Sequence, residues 1–340
     1  MAARPNTRKT TIVDIAAASG VSVTTVSRIL NNRPDVADET RERVLHVMNE
    51  TGFAPQNAWR QIRSGRTRLI AVHVPPEFNP PAYGLVMAAA LGVEDAGYSI
   101  NVMTRPLSEG ELLAIFRGRQ VDGVILLEIL AEDPRPAILR DHGYPFVMIG
   151  HRADSAGMDY VDVDIRHGVG VAVDHLVQLG HRRIGFLTID PVVQDKTYGF
   201  ATWALRAYEE ACERNGLGAI TSLAEPTTEA MATAAVRLLE PMRVSAIIAP
   251  QERSVISVLK SAQARSIRIP HDLSLIGMLS VSTGELATPA LTTIDFPAEE
   301  MGRVAARMLL ERLEGKQGVA EQVLVRPELI VRGTTAPPSG

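Results

Sequence analysis

Short hydrogen-bonding side chains are concentrated between residues 22 and 31, where they surround a single arginine. Ser22, Thr24, Thr25, Ser27 and Asn31 carry these side chains, and Val23 and Arg28 lie among them. Their hydroxyl and amide groups can bond phosphate oxygens, and the fork of Arg28 can bond both O6 and N7 of a guanine. Val23, Thr24 and Arg28 are predicted to face outward. The chemistry indicated is recognition of double-stranded nucleic acid.

Three short helices are predicted to position this group. The run Thr11–Asp14 has the spacing of a capping box, which starts a helix that ends at Gly20. Ser22 is a suitable N-cap for a second helix, Val23–Leu30, and a third helix is predicted over residues 38–50. The pattern is typical of a helix-turn-helix headpiece. The alternative is a generic three-helix bundle whose serines and threonines lie on a solvated face.

The distribution of charge also separates the front of the chain from the rest. Residues 1–68 carry eleven Lys/Arg and six Asp/Glu, a net charge of +5, which leaves −9 on the remainder. A basic front on an acidic body indicates a polyanionic partner for the front alone, although a solvated basic face would give the same count.

Other motifs argue against an enzyme. The one cysteine, Cys212, excludes an internal disulfide and suits a reducing cytoplasm, and the histidines lack metal-ligand spacing. Gly168 and Gly170 resemble a dinucleotide fingerprint, but Val173 stands where its third glycine belongs, so a tight turn into a helix is the preferred interpretation. His181 is given a structural role between a helix and a strand. No catalytic residue, metal or cofactor is predicted, and no signal peptide or membrane span is expected.

Beyond residue 68, β-branched runs alternate with helical stretches, which predicts parallel sheets covered by helices and divided into two lobes. The predicted strands are Leu69–Val74, Tyr98–Met103, Gly123–Leu127, Phe146–Ile149, Tyr160–Val163, Ile184–Thr188, Ala246–Ala249 and Leu273–Gly277. The predicted helices include Ala82–Ala96, Gly168–Leu179, Ala201–Asn215, Glu229–Leu239, Val255–Ala264 and Glu299–Leu313. The tail, Thr334–Gly340, is predicted to be disordered.

Several of these runs resemble the lactose-repressor/galactose-repressor family over nearly the whole chain. In the headpiece they are Ile12–Ala16, Gly20–Ser22, Thr25–Arg28, Thr40–Glu42 and Gly52–Pro55; beyond it they include Asn79-Pro80, Val121–Gly123, Leu179–Ile184 and Leu291–Thr293. The resemblance implies an all-α headpiece (1–54), a hinge (55–68) and a two-lobed domain like periplasmic sugar-binding proteins (69–340). Lobe 1 is assigned to about 69–166 and 296–318, and lobe 2 to about 167–295 and 319–333. Ala37 departs from the family, which commonly has a serine cap there.

The resemblance also implies roles for particular residues. In the hinge, a short helix over 56–64 would fold as a pair over the minor groove, with Ile62 as the apolar wedge that bends the DNA; a plain linker is the alternative. Helix Ala82–Ala96 would supply the dimer contact. A ligand would lie between the lobes, and the family's pocket positions fall on Tyr83, His151, Lys196, Gln251 and Leu279.

The function expected is that of a cytoplasmic, nucleoid-associated regulator, a repressor that binds an inverted-repeat operator as a homodimer under control of a sugar or sugar-derived effector. Lys196 and His151, with Leu279 in place of an acid, favour an anionic effector. The competing interpretation pairs Lys196 with Glu252 or Asp164. The alternatives to a regulator are a cytosolic sugar- or nucleotide-processing enzyme and a DNA-bending protein that ignores metabolites.

Overall fold

The computed structural model describes residues 10–30, 36–51, 66–74, 80–193, 196–316 and 318–339. The chain divides into a helical unit that ends at Arg68 and an α/β unit that begins at Leu69. The helical unit contains α1 (Ile12–Ser19), α2 (Val23–Leu30) and α3 (Asp38–Glu50). Each helix contributes buried apolar side chains to one small core, which consists of Ile15, Ala16, Val26, Ile29, Val44 and Met48.

The α/β unit alternates strands and helices along most of its length. Its helices are α4 (Pro80–Glu94), α5 (Glu109–Arg117), α6 (Pro134–Asp141), α7 (Ile165–Gln178), α8 (Gly199–Arg214), α9 (Thr228–Leu239), α10 (Glu252–Ala264), α11 (Val281–Glu285) and α12 (Ala298–Leu313). Its strands are β1 (Leu69–His73), β2 (Ser99–Met103), β3 (Gly123–Leu126), β4 (Phe146–Ile149), β5 (Tyr160–Val163), β6 (Ile184–Ile189), β7 (Val192–Val193), β8 (Lys196–Thr197), β9 (Ile220–Ala224), β10 (Ala246–Ala249), β11 (Ser274–Leu279), β12 (Thr292–Asp295), β13 (Gln322–Val325) and β14 (Leu329–Ile330).

Two six-stranded sheets form the centres of two lobes. The order in lobe 1 is β13-β5-β4-β3-β1-β2, with every pair parallel. The order in lobe 2 is β14-β12-β11-β10-β6-β9, in which only β14 runs antiparallel to its neighbour. Parallel strands bury both faces, and β3, β4 and β10 are buried at every residue. The chain passes between the lobes after β5, after β12 and after β13.

The last of these crossings corrects the predicted lobe boundary. Residues 319–333 were assigned to lobe 2, but Gln322–Val325 pair with Tyr160–Val163 at the edge of the lobe 1 sheet. Only after this strand does the chain return, where Leu329 and Ile330 pair with β12. A four-residue edge strand with two exposed positions carries too weak a pattern to be found in the sequence.

The glycines of α7 do not form the predicted tight turn. Asp164 caps the helix by accepting a hydrogen bond from the His167 amide at 2.9 Å, so the helix begins at Ile165 and both glycines lie inside it. A Cβ atom on Gly168 would lie 2.7 Å from Pro327 and 2.9 Å from Ile294. Close packing, and not turn geometry, therefore explains the small residue at position 168.

The tail predicted to be disordered is anchored to lobe 2. Thr334 is fully buried, and its hydroxyl donates to the carbonyl oxygen of Leu275 at 2.7 Å. Two residues on, the Ala336 amide donates to the Ser274 hydroxyl at 3.0 Å. His181 is also bonded to the carbonyl oxygen of Ala336. Each of these bonds satisfies a buried polar group that would otherwise destabilise the fold.

Candidate functional sites

The first candidate site is the helix-turn-helix of the headpiece. Thr11 and Asp14 form the predicted capping box: the Asp14 amide donates to the Thr11 hydroxyl, and the Thr11 amide donates to the Asp14 carboxylate at 2.7 Å. Gly20 takes the left-handed conformation, with φ of 66°, that ends α1. The hydroxyl of Ser22 accepts the Thr25 amide at 3.0 Å and so begins α2. The two helices are bent by 104° across this turn.

The exposed face of α2 carries the residues predicted to read DNA. Val23, Thr24 and Arg28 are exposed, as is Ser22 at the cap, while Thr25 and Ser27 are partly buried. Val26 and Ile29 project to the opposite side, into the small core. The helical repeat therefore separates a polar outer face from the face that fixes α2 to its neighbours. Ala37 makes no side-chain cap for α3, as the sequence predicts.

Two predicted DNA contacts lie outside the described residues. Asn31 follows α2, and Ile62 belongs to the hinge; both stay predictions.

The second candidate site is a cleft between the two lobes, with about 990 Å³ of empty space that partly opens to solvent. Its walls follow the carboxyl ends of parallel strands. Glu128 and Ile129 come after β3, His151 after β4, Gln251 after β10 and Phe296 after β12. In α/β folds this edge of the sheet is where ligands bind. Tyr198 and Phe200, at the start of α8, add aromatic surface from lobe 2.

His151 is held by contacts from both lobes. Its Nδ1 lies 2.7 Å from a carboxylate oxygen of Asp162 on β5. Its ring stacks on Tyr160 of lobe 1 and on Trp203 of lobe 2, with centroid separations of 5.3 Å and 5.0 Å. Burial raises the pKa of the Tyr160 phenol above its usual value. Asp162 orients the imidazole, because its carboxylate accepts a hydrogen bond from Nδ1–H. Nε2 is then the remaining polar atom of the ring.

Gln251 lines the cleft, but both polar atoms of its amide group are hydrogen-bonded to other side chains of the protein. Its Nε2 donates to the Thr188 hydroxyl at 2.9 Å, and its Oε1 accepts from the Ser254 hydroxyl at 3.1 Å. The side chain therefore joins the end of β6 to the start of α10 and supports the wall of the cleft.

The other three predicted cleft residues do not line the cavity. Leu279 is buried in the lobe 2 core, because side chains alternate along β11 and its neighbour Met278 takes the cleft side. Lys196 is exposed on the short β8 strand. Tyr83 is 65% exposed on α4. Of the two basic groups that favour an anionic effector, Lys196 and His151, only His151 lines the cleft.

The predicted ligand set contains none of the acidic residues of the cleft, and Glu252 enters the sequence analysis only as a possible partner of Lys196. Glu128, Asp162 and Glu252 all contribute to its lining. Glu128 adopts a φ of 51°, in the left-handed region that is costly for a residue with a Cβ. Its position directly after a predicted buried strand was the available signal, and Glu252 follows β10 in the same way. Asp164, two residues after Asp162, caps α7 and is not among the residues that line the cleft.

A buried polar network supports the wall at Glu128. The guanidinium of Arg135 donates to the carbonyl oxygens of Leu127 and Glu128, each at 3.1 Å, and to the carboxylate of the buried Asp133. It also donates to Nδ1 of His73 at 2.6 Å. Burial lowers the pKa of His73, and the adjacent Arg135 lowers it further. A neutral imidazole is needed here, because Nδ1 must accept the bond from Arg135.

Within the described residues, no group of three or more His, Cys, Asp or Glu side chains could hold a metal ion. No single helix of that part is long and apolar enough to cross a membrane; α1 and α2 meet this test only as a bent pair.

Comparison with known protein families finds a match for the helical unit and for part of the α/β unit. Residues 11–56 match the model described as bacterial regulatory proteins, lacI family, and residues 173–335 match a periplasmic binding protein-like domain. The chain is 31% identical to the HTH-type transcriptional regulator DegA of Bacillus subtilis, over 97% of this chain and 99% of that protein. The chain belongs to the lacI family. It is a DNA-binding transcription regulator.

Other relatives of this lacI-family regulator agree. It is 30% identical to the HTH-type transcriptional regulator CelR of Thermobifida fusca, over 96% of this chain and 98% of that one. The structure of a CelR–cellobiose complex matches with a TM-score of 0.70 at 27% identity, covering 96% of this chain and all of that chain. The lac repressor dimer bound to operator matches the fold with a TM-score of 0.83 at 21% identity, covering 97% of this chain and all of that chain. These relatives are transcription regulators and not enzymes.

Proposed function

We propose that the protein is a repressor that binds an inverted-repeat operator as a homodimer and is controlled by a small metabolite in the cleft. The observation that carries the proposal is the outer face of α2, where Val23, Thr24 and Arg28 are exposed together on a helix fixed by its buried side. An α-helix of this kind fits the major groove, and a symmetric dimer presents two such helices to two half-sites.

The residues around this face have distinct proposed roles. Val23, Thr24 and Arg28 contact base edges, while Thr11, Ser22, Thr25, Ser27 and Asn31 contact phosphates and fix the register. Ile62 is proposed as the hinge wedge that enters the minor groove. The basic charge of residues 1–68 supports phosphate binding, so affinity should fall steeply as salt rises.

The cleft is the proposed effector site. It lies at the carboxyl ends of parallel strands, where α/β folds bind ligands, and its lining mixes apolar and aromatic side chains with a few polar groups. The related CelR structure is a complex with cellobiose, which supports a small-molecule effector. Closure of the lobes on a ligand would couple the cleft to the headpiece, with coupling of about 1–3 kcal/mol typical of such systems. A regulator that binds DNA acts where the DNA is, and we place this one in the cytoplasm, with the nucleoid.

The test is selection of operator fragments followed by gel-shift titration. Selection from a pool of genomic fragments should return inverted repeats. Arg28→Ala should cost about 1–3 kcal/mol of specific binding and relax preference at one base position in each half-site. Arg43→Ala, an exposed arginine on α3, is the matched control; it should leave base preference unchanged. Unaltered preference in Arg28→Ala would remove α2 from the recognition role.

A further inference from the structure

The chain enters lobe 1 beside Asp122, at the edge of the sheet where its parallel strands begin. β1 starts directly after residue 68, and Ile70 of β1 lies beside Gly123 of β3. Asp122 precedes Gly123, so this register places it next to the last residues of the predicted hinge. The segment Arg119–Asp122 groups by its contacts with the helical unit, although it leads into a strand of lobe 1. The cleft is lined from the other edge of the sheet, where the strands end.

Asp122 binds the end of the predicted hinge through both of its carboxylate oxygens. Oδ1 accepts hydrogen bonds from the Thr67 amide at 2.7 Å and from the Thr67 hydroxyl at 3.0 Å. Oδ2 accepts the Arg68 amide at 3.0 Å. Hydrogen bonds to an ionised acceptor are stronger than those between neutral groups, and Thr67 is buried. One carboxylate therefore fixes two successive peptide units to the start of β3.

The backbone of Arg68 shows that the direction of the chain is specified at this point. Its φ is 59°, in the left-handed region that is costly for a residue with a Cβ. Such a conformation persists only where the surrounding structure holds it. Asp122 holds Arg68 on one side, and the pairing of β1 with its neighbours holds the chain on the other. A freely turning linker would relax to an ordinary conformation here.

We infer that Asp122 is a positioning residue for operator binding, which fixes the direction in which each hinge leaves lobe 1 and so sets the half-site separation that the dimer accepts. This inference rests on the proposed function, since it takes the dimer to bind an inverted repeat. When one headpiece is bound, the effective concentration of the second at its half-site depends on how closely the tether matches the span between the sites. A loose anchor spreads the second headpiece over many positions and lowers that concentration.

The test varies the distance between half-sites. Gel-shift titration of the full-length protein would use the selected inverted repeat, the same repeat with two base pairs inserted at its centre, and a single half-site. The insertion moves the half-sites about 7 Å apart and turns one by about 70° relative to the other. The wild type should lose at least about tenfold in affinity on insertion, because its anchored hinges fit one spacing.

Asp122→Ala should remove this selectivity for spacing. It should bind the original repeat at least about fivefold more weakly than the wild type and lose less than about threefold on insertion, because a loose anchor favours neither spacing. Affinity for the single half-site should stay within about twofold of the wild type, because the headpiece is intact.

Two further variants separate positioning from charge and from stability. Asp141→Ala removes the same charge from an exposed site at the end of α6 in lobe 1 and should keep the spacing penalty of the wild type. Asp122→Asn keeps an oxygen that can accept from Thr67 but replaces the other oxygen with an amide, so its spacing penalty should be intermediate. If urea unfolding shows that Asp122→Ala does not fold, Asp122→Asn decides by the same comparison with the wild type.

The remaining outcomes also decide. A folded variant at position 122 that keeps the full spacing penalty overturns the inference. Equal losses for the repeat and the half-site overturn it as well, because general destabilisation weakens both. If the wild type selects an inverted repeat but tolerates the insertion, the proposed function stands without this inference. If the wild type selects no inverted repeat, the proposed dimeric recognition itself fails.

Discussion

His181 joins three parts of lobe 2 through one buried side chain. Its Nδ1 lies 2.8 Å from the Ser245 hydroxyl, and its Nε2 lies 3.0 Å from the Ser274 hydroxyl and 2.9 Å from the Ala336 carbonyl oxygen. Because a carbonyl oxygen can only accept, Nε2 carries the proton and Nδ1 accepts from Ser245. Burial lowers the pKa of this imidazole, which favours its neutral form in the folded protein.

The lowered pKa of His181 predicts a loss of stability in mild acid. The unfolded chain binds the proton at its ordinary pKa of about 6.5, before the folded protein does. The contribution of the neutral imidazole is therefore fully present above that pH and is lost as the pH falls toward the lowered pKa of the folded state. His181→Gln should lower stability at pH 7.5 but lose less than the wild type between pH 7.5 and 5.5, as measured by urea unfolding.

The control for this prediction is Ser245→Ala. It removes the hydroxyl that contacts Nδ1 of His181 and, at 3.4 Å, the Arg183 carbonyl oxygen, which should cost about 1 kcal/mol or more. The titrating imidazole stays, so the pH slope should persist. His73 and His175 also have pKa values lowered by burial, so His181→Gln should reduce the slope without abolishing it. A slope equal to that of the wild type would show that His181 does not contribute.

At the scale of single residues, the sequence could predict which strand ends contribute residues to the cleft. It could not predict which side chains point into the cleft. The family resemblance places pocket positions at Gln251 and His151, and both follow strand ends, where parallel sheets have their ligand sites. Leu279 satisfied the same rule, yet the alternation of β11 puts it in the core and Met278 in the cleft. Trp203, which stacks on His151 from the opposite lobe, could not be paired with it by any local pattern.

At the scale of elements, α4 and α12 pack so closely that glycine is required between them. A Cβ atom on Gly302 of α12 would lie 2.5 Å from the carbonyl oxygen of Leu85 and 2.6 Å from Cβ of Ala88. Both contacts involve atoms that cannot rotate away. The two helices can therefore relieve an added methyl group only by moving apart.

Gly302→Ala should destabilise the protein by about 1–3 kcal/mol through overpacking, although alanine is the better helix former. Gly110→Ala is the matched control, because Gly110 also lies in a helix and a Cβ there meets nothing within 4 Å. That change should stabilise the protein by about 0.5–1 kcal/mol. Urea unfolding of both variants measures the difference, and equal effects of the two would contradict close packing at Gly302.

Element prediction succeeded where burial imposes a strong pattern. Sequence analysis predicts the buried strands β3, β4 and β10 and the long helices to within a few residues. The errors lie mostly at helix starts: α7 and α10 each begin three residues before the predicted first residue. The missed strands are β9, β13 and β14 at sheet edges, the two-residue strands β7 and β8, and β12, which is buried inside the lobe 2 sheet. An edge strand buries few side chains and is fixed by pairing with distant residues, so its own sequence carries little signal.

At the scale of the whole molecule, α4 presents an apolar stripe on its outer face. Tyr83, Met87 and Leu91 recur every four residues and are 65%, 63% and 62% exposed. Residues four apart share one face of a helix, so these side chains form a continuous surface. Opposite this face, α4 packs on α12. Large exposed apolar stripes are typical of protein interfaces, which supports the predicted dimer contact on this helix.

Replacing part of this stripe with charge should weaken the dimer. Met87→Glu/Leu91→Glu places two carboxylates in the proposed interface, and in a two-fold dimer each is repeated on the partner, so desolvation and like-charge repulsion oppose association. Sedimentation should detect monomer at concentrations where the wild type is dimeric. Affinity for an inverted repeat should fall, while affinity for a single half-site should stay the same, because each headpiece is intact. Leu286→Glu is the control, because Leu286 is 86% exposed on lobe 2, away from α4. It adds charge to the surface and leaves the apolar stripe of α4 unchanged. A dimer that survives both substitutions on α4 would place the interface elsewhere.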